Sequence, residues 1–180
     1  MLDALITSKT RIKLLLKFFL NSKSSAYLRN LETEFGESTN AIRLELNRFE
    51  QAGMLETFSD GNKKMYRANT KHPMFGDIQN LLRKFVGIDQ IIDKVIHRLG
   101  NISKVYVTGD FARGCDSMVI DLLIIADCID RNYLTQLIEK TEPLIARKIR
   151  YAIMQPQEYT EYKAGNGKEA RLLIYSDTKP

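Results

Sequence analysis

Apolar residues recur along the first fifty positions with the spacing of helices that bury one side. Ile12, Leu15, Leu16 and Phe19 fall at i, i+3, i+4 and i+7, behind Ser8, whose hydroxyl suits a helix start. Asn21-Ser22-Lys23-Ser24-Ser25 breaks the pattern as a loop. Leu28, Leu31 and Phe35 make a second stripe, and Gly36 stands where a left-handed residue ends a helix. A third stripe, Ile42, Leu46 and Phe49, starts near Ser38 or Thr39 and stops at Gly53. The period then changes. Met54 to Phe58 and Lys63 to Ala68 are β-compatible runs flanking Ser59-Asp60-Gly61-Asn62, and an Asp-Gly turn between such runs predicts a hairpin.

Beyond Lys71-His72-Pro73 the helical spacing returns. Phe75, Ile78, Leu82 and Phe85 form one stripe, Gly87 interrupts it, and Ile88, Ile91, Ile92, Val95, Ile96 and Leu99 continue to Gly100-Asn101. This stretch suits a dimerisation helix, a spacer, or the first helix of a second domain. The remainder reads as α/β. Val105 to Thr108 is a short strand, and Ile120 to Ala126 is apolar enough for the centre of a sheet. A helix follows over residues 130–142, then a strand from Ile149 to Met154, a helix start at Pro156 and a last strand from Leu172 to Tyr175. The pattern predicts an α+β chain in three parts: a first domain over 1–72, a helical connector over 73–100, and a small α/β domain with a mixed sheet over 101–180. No internal repeat or low-complexity tract is present.

Composition narrows the class. Hydrophobic residues make up 44% and charged residues 27%, an ordinary globular balance. No stretch approaches the roughly 20 apolar residues of a membrane span, and Met1 to Ile6 lacks the features of a signal peptide. The expectation is a cytoplasmic protein without a membrane partner. Cys115 and Cys128 are too few for a disulfide framework and lack metal-site spacing. Cys128 reads as core or strand-end filler, whereas Cys115, in a Gly-rich loop, is open to a redox role. His72 and His97 have no partners in a ligand pattern, so no metal and no cofactor are assigned. Net charge is uneven. Residues 1–72 carry 12 Lys and Arg against 8 Asp and Glu, and residues 73–180 carry 15 against 14. The basic excess sits where a phosphate backbone would be met.

Two helices joined by Gly36-Glu37-Ser38, then a hairpin, give the order of a winged helix-turn-helix. The third helix is slim enough for a major groove and offers Thr39, Asn40, Arg43 and Asn47 outward. Arg pairs with guanine N7 and O6, and Asn with adenine N7 and N6. Lys63, Lys64 and Arg67 on the hairpin would hold phosphates, which positions a protein without reading sequence. Ordinary solvated helix residues on a protein-binding module would look the same. The run Asn40-Ala41-Ile42-Arg43-Leu44-Glu45-Leu46-Asn47-Arg48-Phe49-Glu50-Gln51-Ala52-Gly53-Met54-Leu55 resembles the third helix and following turn of ArsR-like winged-helix regulators. That resemblance implies operator binding as a homodimer. It lacks the Cys and His sensor sites of metal-responsive members.

Val107-Thr108-Gly109-Asp110-Phe111-Ala112-Arg113-Gly114, with Val119-Ile120-Asp121-Leu122-Leu123-Ile124, is similar to the signature of minimal nucleotidyltransferases. In that family a Gly-Ser pair opens a phosphate loop, an Asp-x-Asp on the next strand binds divalent metal, and a later strand supplies another carboxylate. Phosphoryl transfer needs such metals to neutralise charge on oxygen. Here Asp110 replaces the Ser, Val119 replaces the first Asp, only Asp121 remains, and Arg150 lies on the later strand. Asp110 or Asp116 could complete an unorthodox site with Asp121, but the departures favour a domain that has lost catalysis, with no catalytic residue assigned. Gly109, Asp110, Arg113, Gly114 and Asp121 then either shape the loop or form a remodelled pocket, with Arg113 as an anion handle for a small-molecule or nucleotide effector.

A winged helix followed by a nucleotidyltransferase-like domain resembles a group of prokaryotic regulators that carry both parts in one chain. The expectation is a homodimeric transcriptional regulator of double-stranded DNA whose second domain supports assembly or senses an effector. Two alternatives stay open: an active metal-dependent nucleotidyltransferase targeted by its winged helix, and a protein-binding, antitoxin-like module.

Overall fold

The computed structural model describes residues 6–165 and 169–177. The chain is α+β and divides into two compact units. One ends at Phe85 and takes in residues 114–116; the other comprises 86–113 and the residues from 117 onward.

In the first unit, helix α1 (Lys9–Leu15) begins at Ser8, whose Oγ accepts from the Arg11 amide. It runs on into a π-helical turn (Leu16–Leu20). Burial here is not one-sided: Leu14, Phe18 and Leu20, outside the predicted stripe, are as deeply buried as Leu16 and Phe19. The wider π turn rotates successive side chains off a single 3.6-residue stripe, so the helix serves as the unit's hub. Ser25–Tyr27, partly inside the segment expected as loop, forms a three-residue strand β1. Helix α2 (Leu28–Phe35) ends at Gly36 with φ +62°. Helix α3 (Thr39–Gln51) starts at Ser38, which caps the Ala41 amide, and buries Ile42, Leu46 and Phe49 as the spacing predicts. Strands β2 (Leu55–Asp60) and β3 (Lys63–Ala68) form the hairpin, with Asp60 opposite Lys63. β1 joins β3 antiparallel, giving the order β1-β3-β2. Three residues paired at one edge carry too little pattern to be seen in sequence. Helix α4 (Phe75–Val86) follows. Phe75 packs on Phe19, with ring centroids 5.8 Å apart.

Charge pairs tie α1 to the other two helices. Arg11 donates through Nε to Glu45 Oε2 (2.8 Å) and through Nη2 to Oε1 (3.1 Å). Arg48 Nη1 reaches Glu45 Oε1 at 3.0 Å. Lys13 Nζ meets Glu37 and the Phe35 carbonyl, and Lys17 Nζ meets both Glu34 oxygens. The Glu45 side chain is only 7% exposed. Burial alone pushes its carboxyl up, but the hydrogen bonds and charges of Arg11 and Arg48 outweigh this and hold it below the ordinary value of 4.5. A carboxylate held below its unfolded value adds stability above that value and loses it as pH falls through the folded one. Glu45→Gln is therefore expected to cost about 2 kcal/mol at pH 7. Between pH 7 and pH 3 the variant should lose less stability than the native chain. Urea unfolding of both proteins across that range checks this, and parallel pH curves would count against it.

The second unit opens with α5 (Ile88–Ile91), a π-helical turn (Ile92–Ile96) and a last turn, α6 (His97–Leu99). Gly87, where the helical spacing is interrupted in sequence, has φ +95°, and a Cβ there would lie 2.6 Å from the Ile145 side chain. Strand β4 (Ile102–Thr108) leads into a short helix α7 (Gly109–Arg113), where sequence suggested only a loop. Strand β5 (Val119–Ala126), helix α8 (Arg131–Ile145), strand β6 (Lys148–Met154), helix α9 (Pro156–Gly165) and strand β7 (Leu172–Ser176) complete it. The sheet order is β6-β5-β4-β7, with β5 and β6 parallel and the other pairs antiparallel, the mixed sheet expected.

Alternation assigns the two faces. Val105, Val107, Ile120, Leu122 and Ile124 are buried on one face, which α8 covers through Leu134, Leu137 and Ile138. The register sets Tyr106, Thr108, Asp121, Leu123, Arg150 and Ala152 on the other. Cys128 lies exposed just past the end of β5, at a strand end and outside the core. Among the described residues no helix is long and apolar enough to cross a membrane.

Candidate functional site

Two places carry chemistry. The first is the solvent face of α3. Asn40, Arg43 and Asn47 are exposed along it, with Leu44 (53% exposed) between them; Thr39, in the first turn, is half-buried. Arg43 Nη1 reaches Asn40 Oδ1 at 3.5 Å, and among the described residues it makes no ion pair. Both carboxylates of α3 are engaged elsewhere: Glu45 with Arg11 and Arg48, and Glu50 with Lys64 at 2.8 Å. The face therefore presents amides, a guanidinium and a methyl-bearing side chain, free of unpaired anions.

The hairpin cations are less uniform than sequence implied. Lys64 is paired to Glu50, which raises its ammonium pKa through that hydrogen bond first. Arg67 meets Glu56 at 2.7 Å and lies over the Phe58 ring. Lys63, next to the turn, sits 4.6 Å above the Tyr27 ring and makes no ion pair among the described residues. Tyr27 sits on β1, the strand whose shortness hid it from the sequence pattern.

The second place is the α9-covered face of the second sheet. Asp121 and Arg150 stand opposite each other on the parallel strands β5 and β6. Arg150 donates through Nε to Oδ1 (2.7 Å) and through Nη2 to Oδ2 (3.1 Å), a bidentate pair. The hydrogen bond to Asp121 raises the guanidinium pKa further, and Asp110 adds to this. Arg113 pairs with Asp110 at 2.5 Å. A cavity of about 530 Å³ opens here, with Gly109, Arg113, Leu123, Met154, Tyr162 and Glu169 among its walls. Gly109 and Arg113 thus line it as the sequence suggested, while Asp121 lies directly behind Gly109. Gly114, φ +83°, belongs to the segment 114–116 that packs with the first unit.

Sequence spacing did not reveal the aromatic side of this face. Tyr106 stacks on Tyr159 with centroids 5.3 Å apart, and Arg171 lies over Tyr159 and Tyr162. Burial, with the hydrogen bond to Tyr159, pushes the Tyr106 phenol up to about 12. Tyr162 donates to Glu169, and that bond raises its phenol. Tyr106 comes from β4, Tyr159 and Tyr162 from α9, and Arg171 from just before β7, so only the fold brings Tyr106 to the others.

The divalent metal that the nucleotidyltransferase resemblance implies does not fit these donors. Its oxygen ligands should come from several close carboxylates. Asp121 is already chelated by a guanidinium, and Val119 and Arg150 occupy positions that would supply the others. Among the described residues no three His, Cys, Asp or Glu side chains gather in a metal-binding group.

No protein-family model matches the chain, and no curated protein matches it. Several solved structures are similar over about half of it. The AF1382 protein from Archaeoglobus fulgidus is 20% identical, covering 52% of this chain and 94% of that one, with a TM-score of 0.36. A mutant of the MntA–HpeT toxin–antitoxin is 11% identical over 51% of this chain and 74% of that one, with a TM-score of 0.39. A possible transcriptional regulator for arsenical resistance is 23% identical over 50% and 85%, with a TM-score of 0.30.

Gly109 tests how tightly this site is built. Its φ is +63°, and a Cβ would fall 2.4 Å from Asp121 Oδ2. Gly109→Ala should cost more than about 2 kcal/mol, because backbone strain and displacement of Asp121 add. Gly36→Ala, with φ +62° but nothing within 4 Å, should cost about 1 kcal/mol. Calorimetric unfolding of both variants decides it; equal costs would mean that Asp121 is not held against the loop.

Proposed function

We propose that the first unit is a winged helix-turn-helix that binds double-stranded DNA, and that the chain is a transcriptional regulator acting as a homodimer. The observation that carries this is the outward face of α3. Asn40, Arg43, Leu44 and Asn47 line it, while its two glutamates are tied up by basic residues. In a major groove Arg43 would pair with guanine, Asn40 and Asn47 with adenine, and Leu44 would meet a thymine methyl. Thr39, at the helix start, would hold a phosphate, as helix N-termini do. Lys63 at the hairpin tip would make the principal phosphate contact there, with Lys64 and Arg67 contributing less because each is already paired. The second unit is read as a nucleotidyltransferase-like domain without transfer activity, which supports assembly or takes an effector in the cavity beside Gly109 and Arg113.

The test is selection of duplex DNA from a random pool by the full-length protein and by an Arg43→Ala, Asn47→Ala double variant. The native chain should enrich a palindromic site and the variant should not. Lys63→Ala should weaken binding to all sequences and lower the slope of log affinity against log salt by about one. Arg67→Ala should change that slope less. Binding that enriches nothing and vanishes in moderate salt would overturn sequence-specific regulation. A stable co-purifying protein with no DNA affinity would favour the antitoxin-like reading instead.

A further inference from the structure

The pairing of Asp121 with Arg150 has a consequence beyond lost catalysis. We propose that the Arg150 guanidinium is a resident cation, standing to Asp121 as a divalent metal stands to that carboxylate in a nucleotidyltransferase, so that this face is built to remain metal-free. The inference rests on the nucleotidyltransferase-like reading of the second unit.

Four observations carry it. Arg150 is placed by the parallel register directly across from Asp121, the position from which sequence reasoning expected a further carboxylate. It contacts both carboxylate oxygens, at 2.7 and 3.1 Å, which occupies the lone pairs that a metal would use. Gly109 leaves the room that the carboxylate occupies: a Cβ there would fall 2.4 Å from Asp121 Oδ2. Thr108 Oγ1 donates to the Asp121 carbonyl at 3.4 Å and anchors the strand at the same point. Net charge supports the exchange. A single carboxylate beside a single guanidinium is neutral, and Asp110 with Arg113 repeats the arrangement at the cavity wall. A divalent ion entering here would meet a guanidinium already on the carboxylate, three positive charges against the one carboxylate of Asp121.

Val119 and Asp121 alternate onto the same face of β5, so the exchange is reversible by substitution. The experiment is Mn²⁺ titration of the full-length protein, followed by the electron paramagnetic resonance signal of the free ion. The native chain should show no site that Asp121→Asn removes. Val119→Asp combined with Arg150→Ala should bind one Mn²⁺ at least tenfold more tightly than Val119→Asp alone, because only the double variant frees the Asp121 carboxylate of its guanidinium. Val119→Asp with Arg150→Gln serves if the alanine variant does not fold, as judged by circular dichroism. A stoichiometric native site lost in Asp121→Asn would overturn the inference. So would folded Val119→Asp variants that bind alike with and without Arg150. Native metal binding without nucleotide transfer would sink this inference alone, whereas metal binding with transfer would also sink the regulator reading.

Discussion

The Glu45 carboxylate, buried between Arg11 and Arg48, is the constraint on which the first unit turns. Left unpaired, a carboxylate 7% exposed would be costly to keep ionised. Its pairing with Arg11 fixes α1 against α3 and orients α3 so that Ile42, Leu46 and Phe49 face inward. The outward side is left to Asn40, Arg43, Leu44 and Asn47. One ion pair thus locks a helix in place and removes an anion from the surface that would meet phosphate. Glu50 with Lys64 does the same at the far end of the helix.

In the second unit two carboxylates of the α9-covered face also lie against basic groups. Asp121 meets Arg150, and Asp110 meets Arg113. The effect on chemistry is opposite. Pairing in the first unit leaves the outer face of α3 without an unpaired carboxylate, whereas pairing in the second sets a guanidinium on the carboxylate that metal-dependent transfer would need. The cavity that remains is lined by apolar Leu123, Ala152 and Met154 together with polar Thr108, Arg113, Tyr162 and Glu169.

Periodicity made most of the fold legible because the elements that matter bury one side. Ile42, Leu46 and Phe49 gave α3 to within a residue, and Asp60-Gly61 gave the hairpin. Where burial is not one-sided, the pattern failed. Leu14, Phe18 and Leu20 are buried around a π turn, so no stripe marks them. β1 is three residues long and is defined by its partner β3, which lies about forty residues away in the chain. α7 hides within a glycine-bounded loop. The sites were legible as positions but not as states. Arg43, Asn47, Gly109 and Asp121 could be picked out from their context, yet nothing local says that Lys64 is tied to Glu50 or Asp121 to Arg150. Those pairings join residues fourteen and twenty-nine positions apart and depend on the sheet and helix geometry that brings them together.

The measurement that tests the central claim most directly is a titration of isotopically labelled full-length protein with a short duplex at low salt, followed by amide chemical shifts. Binding through the face of α3 predicts that the largest changes map to residues 39–47 and to the hairpin tip around Lys63. Changes confined to the second unit, or no changes at all, would contradict it.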